Sequence, residues 1–200
     1  VEDAMRASRV NVFMEVLRKK NTPYLAALNI VFAAIFVLLL QEGFAQGQAL
    51  REPSAVLTDL KGNRRRIEEL HGTPAVINFW ATWCMPCKSE MPRLVKLQER
   101  YPRVRFVAIS IDSADAREKI PGLIAKRKFS LPVWQGASAD TLKELELGEL
   151  VPATVILDTD GMLVGRIEGE ASEKDISSRL DWLLNGRQGK QPKLIQKNDW

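Results

Sequence analysis

Metal ligands are scarce in this sequence: its 200 residues hold two cysteines and one histidine. Zinc takes four protein ligands, or three and a water. Cys84, Cys87 and His71 leave such a site no ligand to spare, so neither a metal nor an organic cofactor is implied. The chain also lacks a true excess of charge. The formal net charge is +4, but residues 1–23 carry five Lys/Arg against three Asp/Glu, and residues 186–200 carry four against one. Between Gln46 and Asn185 there are twenty of each sign. The basic balance belongs to the ends and not to a face of the folded part, which removes nucleic acid from the leading readings. Internal repeats and low-complexity tracts are missing too, and the length fits one ordinary domain with appendages.

What the chain does have is the placement of its cysteines. Cys84 and Cys87, separated by Met85-Pro86, come directly after the apolar run Ala75–Ala81, a strand of the kind buried on both faces. Beyond Cys84 the apolar residues Met91, Leu94, Val95, Leu97 and Tyr101 recur at helical spacing, so a helix runs to about Arg100, with Pro92 inside it. A Cys-x-x-Cys that closes a strand and opens a helix is a redox device. The helix N-terminus lowers the first thiol from its free pKa of about 8.5, and the second is near enough to close a disulfide. A structural bridge over two intervening residues removes little chain entropy and serves stability poorly. Cys84, first in the pair and exposed beside Trp83, is therefore read as the attacking thiolate, and Cys87 as the buried resolving thiol. Glu90 shares a helix side with Cys87. If partly buried there, its raised pKa would suit it to move a proton to or from that thiol; by spacing alone a solvated carboxylate stays open. Trp80 is assigned to the core, Trp83 to the border of the site, and Lys88 and Arg93 to solvated helix surface.

Upstream, residues 1–23 form a basic segment ending in Arg18-Lys19-Lys20. The uncharged stretch 24–40 has the composition of a transmembrane anchor or a signal-peptide core, and both readings place the remainder of the chain outside the cytoplasm. Residues 41–53 read as linker, 54–185 as the domain, and 186–200 as a basic, flexible tail. Within the domain, a hairpin turns at Gly62 between Ala55–Leu60 and Arg65–Ile67, with Arg64–Arg66 on a solvated strand edge. Val104–Ile111 is a second buried strand, Ala114–Lys128 an amphipathic helix, Leu131–Trp134 a short strand, and Leu142–Leu147 a helical turn or two. Ala153–Asp158 and Met162–Ile167 flank the hairpin turn Thr159-Asp160-Gly161. A last helix, Ser172–Leu184, is capped by Ser172 with Asp175. This order gives an α/β fold with a mixed sheet covered by helices on both faces.

The block Asn78-Phe79-Trp80-Ala81-Thr82-Trp83-Cys84-Met85-Pro86-Cys87-Lys88-Ser89-Glu90-Met91-Pro92, together with Leu150-Val151-Pro152-Ala153-Thr154-Val155-Ile156-Leu157-Asp158, resembles the thioredoxin-like superfamily. Within it the chain is most similar to the TlpA/ResA/DsbE group of extracytoplasmic thiol–disulfide oxidoreductases. The resemblance implies a thioredoxin-like fold, a redox disulfide Cys84–Cys87, and catalysis by Cys84, Cys87 and Glu90. It also implies client contacts at Trp83, Met85, Pro86, Val151 and Pro152, with Pro152 facing the disulfide through a cis bond. Two departures stand out. Asn78 replaces the buried Asp of ordinary thioredoxins, while Glu90 stands where this group carries its acid. Glu149-Leu150-Val151 replaces the Gly-containing run that often precedes the second proline.

The activity implied is dithiol–disulfide exchange with client proteins, in the reductant direction, since the group includes reductants of apocytochrome c thiols. A membrane electron donor and attachment through residues 24–40, if uncleaved, are the implied partners. Two alternatives compete. A peroxiredoxin-like peroxidase needs Thr three residues before its reactive Cys, whereas Thr82 is two before Cys84. A non-catalytic adaptor has no use for an intact Cys-x-x-Cys.

Overall fold

The computed structural model describes residues 50–198. The basic segment 1–23, the anchor or signal stretch 24–40 and most of 41–53 lie outside the described residues. No helix among the described residues is long and apolar enough to cross a membrane. The strands are β1 (Leu57–Asp59), β2 (Arg64–Arg65), β3 (Ala75–Trp80), β4 (Arg105–Ser110), β5 (Val133–Gln135), β6 (Ala153–Leu157), β7 (Leu163–Glu168) and β8 (Ile195–Lys197). The helices are α1 (Met85–Arg100), α2 (Ala114–Arg117), α3 (Ile120–Arg127), α4 (Ala139–Glu144) and α5 (Glu173–Leu184), with a 3-10 turn at Ile67–Leu70.

All eight strands form one mixed sheet in the order β2-β1-β5-β4-β3-β6-β7-β8. The most apolar strand, β3, sits near its middle with all six residues buried, parallel to β4 and antiparallel to β6. Each Ile or Val buried there contributes roughly 1.5–3 kcal/mol of apolar transfer. The β3–β6 register sets Asn78 opposite Thr154, so the one polar residue of the strand has a polar cross-strand neighbour. Helix α1 buries Cys87, Glu90, Met91, Leu94 and Leu97 and packs against α5. The flanking helices and central mixed sheet are a thioredoxin-like arrangement.

Both hairpins form where expected, with Gly62 and Gly161 at positive φ, and Arg64–Arg65 is the edge strand. Ser172 and Asp175 make both bonds of a capping box. Other expectations are corrected. Ile67 opens the 3-10 turn and does not extend the hairpin. The helix expected over 114–128 is two: a continuous one would press the Pro121 ring on the Arg117 carbonyl, and α3 instead restarts with Pro121 in its first turn, where no N–H is required. Helix α4 begins earlier than the apolar spacing indicated, because Ser138 and Thr141 cap its N-terminus reciprocally. Residues 50–53 are not free linker: the Glu52 carboxylate accepts from the Ile67 and Glu68 amides, and Leu50 donates to the Gly161 carbonyl.

The largest correction is at the tail. Residues 195–197 add strand β8, parallel to β7, where a flexible end was expected. Polar side chains hold it. Buried Arg179 donates to the Lys193 carbonyl and to Gln196, while Gln196 and Asn198 both reach the Asp175 carboxylate. Truncation after Pro192 strips Arg179 of these acceptors and leaves it the Asp175 carbonyl. A stability loss of about 2–3 kcal/mol is expected from the stranded guanidinium, read as a lower urea midpoint. An unchanged midpoint would show that β8 adds nothing to the fold.

Candidate active site

Strand β3 ends at Trp80, and Ala81-Thr82-Trp83 carries the chain to Cys84, the N-cap of α1. The connection is pinned from beside it. Fully buried Asp112, just past β4, accepts from the Thr82 amide at 2.9 Å and from the Thr82 hydroxyl at 2.8 Å, and the Ser110 hydroxyl also donates to it. Cys84 and Cys87 form a disulfide, and the Cys87 amide donates to Cys84 Sγ at 3.1 Å. Cys84 Sγ therefore faces the unpaired amides of the helix N-terminus, where a thiolate is favoured.

The sulfurs are less open than the sequence suggested. Cys84 is only 4% exposed and Cys87 is 0%. The order of accessibility holds, but the exposed surface is supplied by Trp83 and Met85, at 62% and 63%. Cover comes from the loop before β6. The Val151–Pro152 bond is cis, both residues are buried, and the Val151 carbonyl oxygen lies 3.5 Å from Cys84 Sγ. Leu150, where the related group often has glycine nearby, projects into solvent. Pro86 is half-buried in the first turn of α1. The structure thus brings Trp83, Cys84, Met85, Pro86, Cys87, Val151 and Pro152 to one place.

Glu90 completes it from one helical turn further on. The side chain is fully buried; the Asn78 amide group donates to Oε1 at 2.5 Å and the Ala171 N–H to Oε2 at 3.0 Å. Asn78 also donates to Thr154 Oγ1 at 3.0 Å, so the cross-strand pair forms the base on which the carboxyl rests. Burial pushes the Glu90 pKa up to about 7, against the opposing pull of the two hydrogen bonds; Glu170 adds to the rise and Arg93 counters it. The carboxyl is thus poised to gain or lose a proton near neutrality.

Several contributors were missed from the sequence. Arg93, assigned to solvated surface, donates to the Ala171 carbonyl and pairs with Glu170, fixing the loop that supplies the Ala171 amide. Asp112 gave no signal beyond an acid just past an apolar strand, and Thr154 is visible only through the β3–β6 register. A stronger sign for Glu90 was available: it falls in the apolar stripe 87, 90, 91, 94, 97 of α1, where a carboxyl must be buried.

Fold and site together define a thioredoxin-like thiol–disulfide oxidoreductase. Comparison with known proteins gives the family: the AhpC/TSA family model matches residues 50–166, and the chain belongs to it. The thioredoxin-like protein YneN of Bacillus subtilis is 31% identical over 144 residues, 70% of this chain and 81% of that protein. The thiol–disulfide oxidoreductase ResA of Bacillus cereus is 27% identical over 157 residues, covering 76% of this chain and 90% of that protein. Among solved structures, a secreted disulfide oxidoreductase of Mycobacterium tuberculosis, homologous to E. coli DsbE, superposes with a TM-score of 0.55 at 23% identity over 67% of this chain and 96% of that one. At that identity it supports the fold.

A carboxyl with a raised folded pKa makes stability fall as pH rises. Below about 4.5 Glu90 is protonated folded or unfolded; between about 4.5 and 7 the unfolded chain sheds its proton first; above 7 the loss is complete. Glu90→Gln lacks this term. Relative to wild type, the variant should gain on the order of 3 kcal/mol between pH 4.5 and pH 8, measured by denaturant unfolding of the oxidised protein. A pH-independent difference would show that Glu90 keeps an ordinary carboxylate pKa.

Proposed function

We propose that the protein is an extracytoplasmic reductant of disulfides in client proteins, with Cys84 as nucleophile, Cys87 as resolving thiol and Glu90 as proton carrier. The observation that carries this reading is the disulfide at the α1 N-terminus with a buried carboxyl one turn behind it whose pKa is pushed up to about 7. In the reduced enzyme the Cys84 thiolate attacks a client disulfide, forms Cys84–S–S–client and expels one client thiolate. Cys87 then gives its proton to the Glu90 carboxylate and attacks Cys84 Sγ. The second client thiolate leaves, and the Cys84–Cys87 disulfide forms. Two electrons from a membrane dithiol donor reset the pair, with Glu90 returning the proton.

Trp83, Met85, Pro86, Val151 and Pro152 surround the sulfurs and are assigned to client contact. An extended client strand laid along the 150–152 loop fits the position of Val151 against Cys84. The reductant direction comes from the group resemblance, which includes apocytochrome c reductants. Location outside the cytoplasm rests on Arg18-Lys19-Lys20 and the apolar stretch 24–40, acting as anchor or cleaved signal ahead of the folded domain. Peroxidase chemistry is disfavoured because the Thr82 hydroxyl is committed to Asp112.

Cys84→Ser is expected to abolish exchange, while Cys87→Ser accumulates mixed disulfides with clients, seen on non-reducing gels. Trapping by Cys84→Ser instead would reverse the roles. As a reductant, the enzyme should equilibrate with glutathione at a potential below about −220 mV and reduce insulin disulfides without consuming peroxide. A potential near about −120 mV would make it an oxidant.

A further inference from the structure

A groove of about 390 Å³ opens beside the two residues that precede Cys84, lined by Thr82, Trp83, Ala116, Lys119, Gly122, Leu123 and Lys126. One wall is the loop that delivers the nucleophile; the other is a single face of α3 and the residues just before it, at spacings of three and four. Gly122 leaves its floor open: a Cβ there would meet nothing within 4 Å. Leu123 and the indole of Trp83 supply apolar surface. The only charges lining the groove are Lys119 and Lys126, both exposed. Among the described residues the lysines in ion pairs are Lys143 and Lys197, so Lys119 and Lys126 have no acidic partner. A cleft with an aromatic rim, an apolar floor and two unneutralised cations complements an extended chain bearing carboxylates.

We propose that this groove is a specificity subsite for client segments that carry acidic side chains next to the reactive cysteine. The inference rests on the oxidoreductase reading above and adds which clients that site prefers. Lys119 and Lys126 are seven positions apart, about 10 Å at 1.5 Å of helix rise each. About three residues of extended chain span the same length. Side chains of an extended chain alternate between faces, so two carboxylates that both meet this wall stand an even number of positions apart. The preferred client therefore places them two positions apart, the long lysine side chains taking up the remaining few ångströms, while its neighbouring cysteine meets Cys84 and its apolar residues lie against Trp83 and Leu123.

The test uses two disulfide peptides, identical except that two residues two positions apart beside one cysteine are Glu in one and Gln in the other. Reduction by the 200-residue chain is measured as kcat/KM, each divided by the peptide's rate with dithiothreitol. The Glu peptide should be favoured roughly fivefold, the scale of two exposed ion pairs. The ratio should approach one at high salt and drop below one in the Lys119→Glu/Lys126→Glu variant, while Lys61→Glu on the distant hairpin leaves it unchanged. Binding of the same peptides with Ser for Cys, measured by calorimetry, reads the groove independently of thiol chemistry and should show the same preference. If neither peptide is reduced but the Glu form still binds better through these lysines, the groove stands and the oxidoreductase reading falls. Equal binding of Glu and Gln peptides, or a preference that survives charge reversal, overturns the inference. So does charge reversal that abolishes only a preference for phosphatidylglycerol-containing over phosphatidylcholine vesicles, since the face would then meet lipid.

Discussion

A buried carboxyl between the central strand and the first long helix is the constraint on which the site depends. Glu90 sits in the apolar stripe of α1, and its oxygens find donors only because two other elements reach it. The β3–β6 register presents Asn78 with Thr154 behind it, and the loop before α5 brings the Ala171 amide, held by Arg93. Two donors soften the desolvation of the acid without cancelling it, which is why its pKa settles near 7. Had the amide been a cationic group, the carboxyl would be ionised throughout the neutral range and unsuited to the proton exchange proposed for it. Asn78 is thus a holder of the acid and not a vacancy left by a missing one.

The sulfurs depend on a second restraint, just past the C-terminal end of the same strand. Asp112 grips Thr82 by both its amide and its hydroxyl, so the chain enters α1 with Cys84 fixed at the N-cap. Access is then narrow. The cis-proline loop covers Cys84, and the exposed apolar surface around it belongs to Trp83, Met85 and Leu150. A disulfide barely exposed but ringed by exposed apolar side chains has the surface expected of a protein-contact site.

Much of this was legible in the sequence because each signal was local. Continuous apolar residues at 75–80 marked the central strand, Cys-x-x-Cys marked the strand-to-helix junction, and Thr159-Asp160-Gly161 marked the closing hairpin. The family resemblance supplied what locality cannot, namely Pro152 opposite the disulfide and the weight given to Glu90. Failures were of two kinds. Some were hidden chemistry of single residues, such as Pro121 splitting a helix and Ser138 starting one. Others arose from partners distant in sequence: Asp112 to Thr82, Arg93 to Ala171, and Gln196 and Asn198 to Asp175. Polarity alone made the last segment look mobile, whereas its amides and carbonyls complete a sheet edge around buried Arg179.

The central claim is that Glu90 is a neutral-range proton carrier. The direct measurement is a titration of its side-chain carboxyl carbon by NMR in the oxidised protein, with Glu90→Gln used to assign the signal. A midpoint near 7 is predicted; a midpoint near about 4.5, the value of a solvated glutamate, would contradict the account.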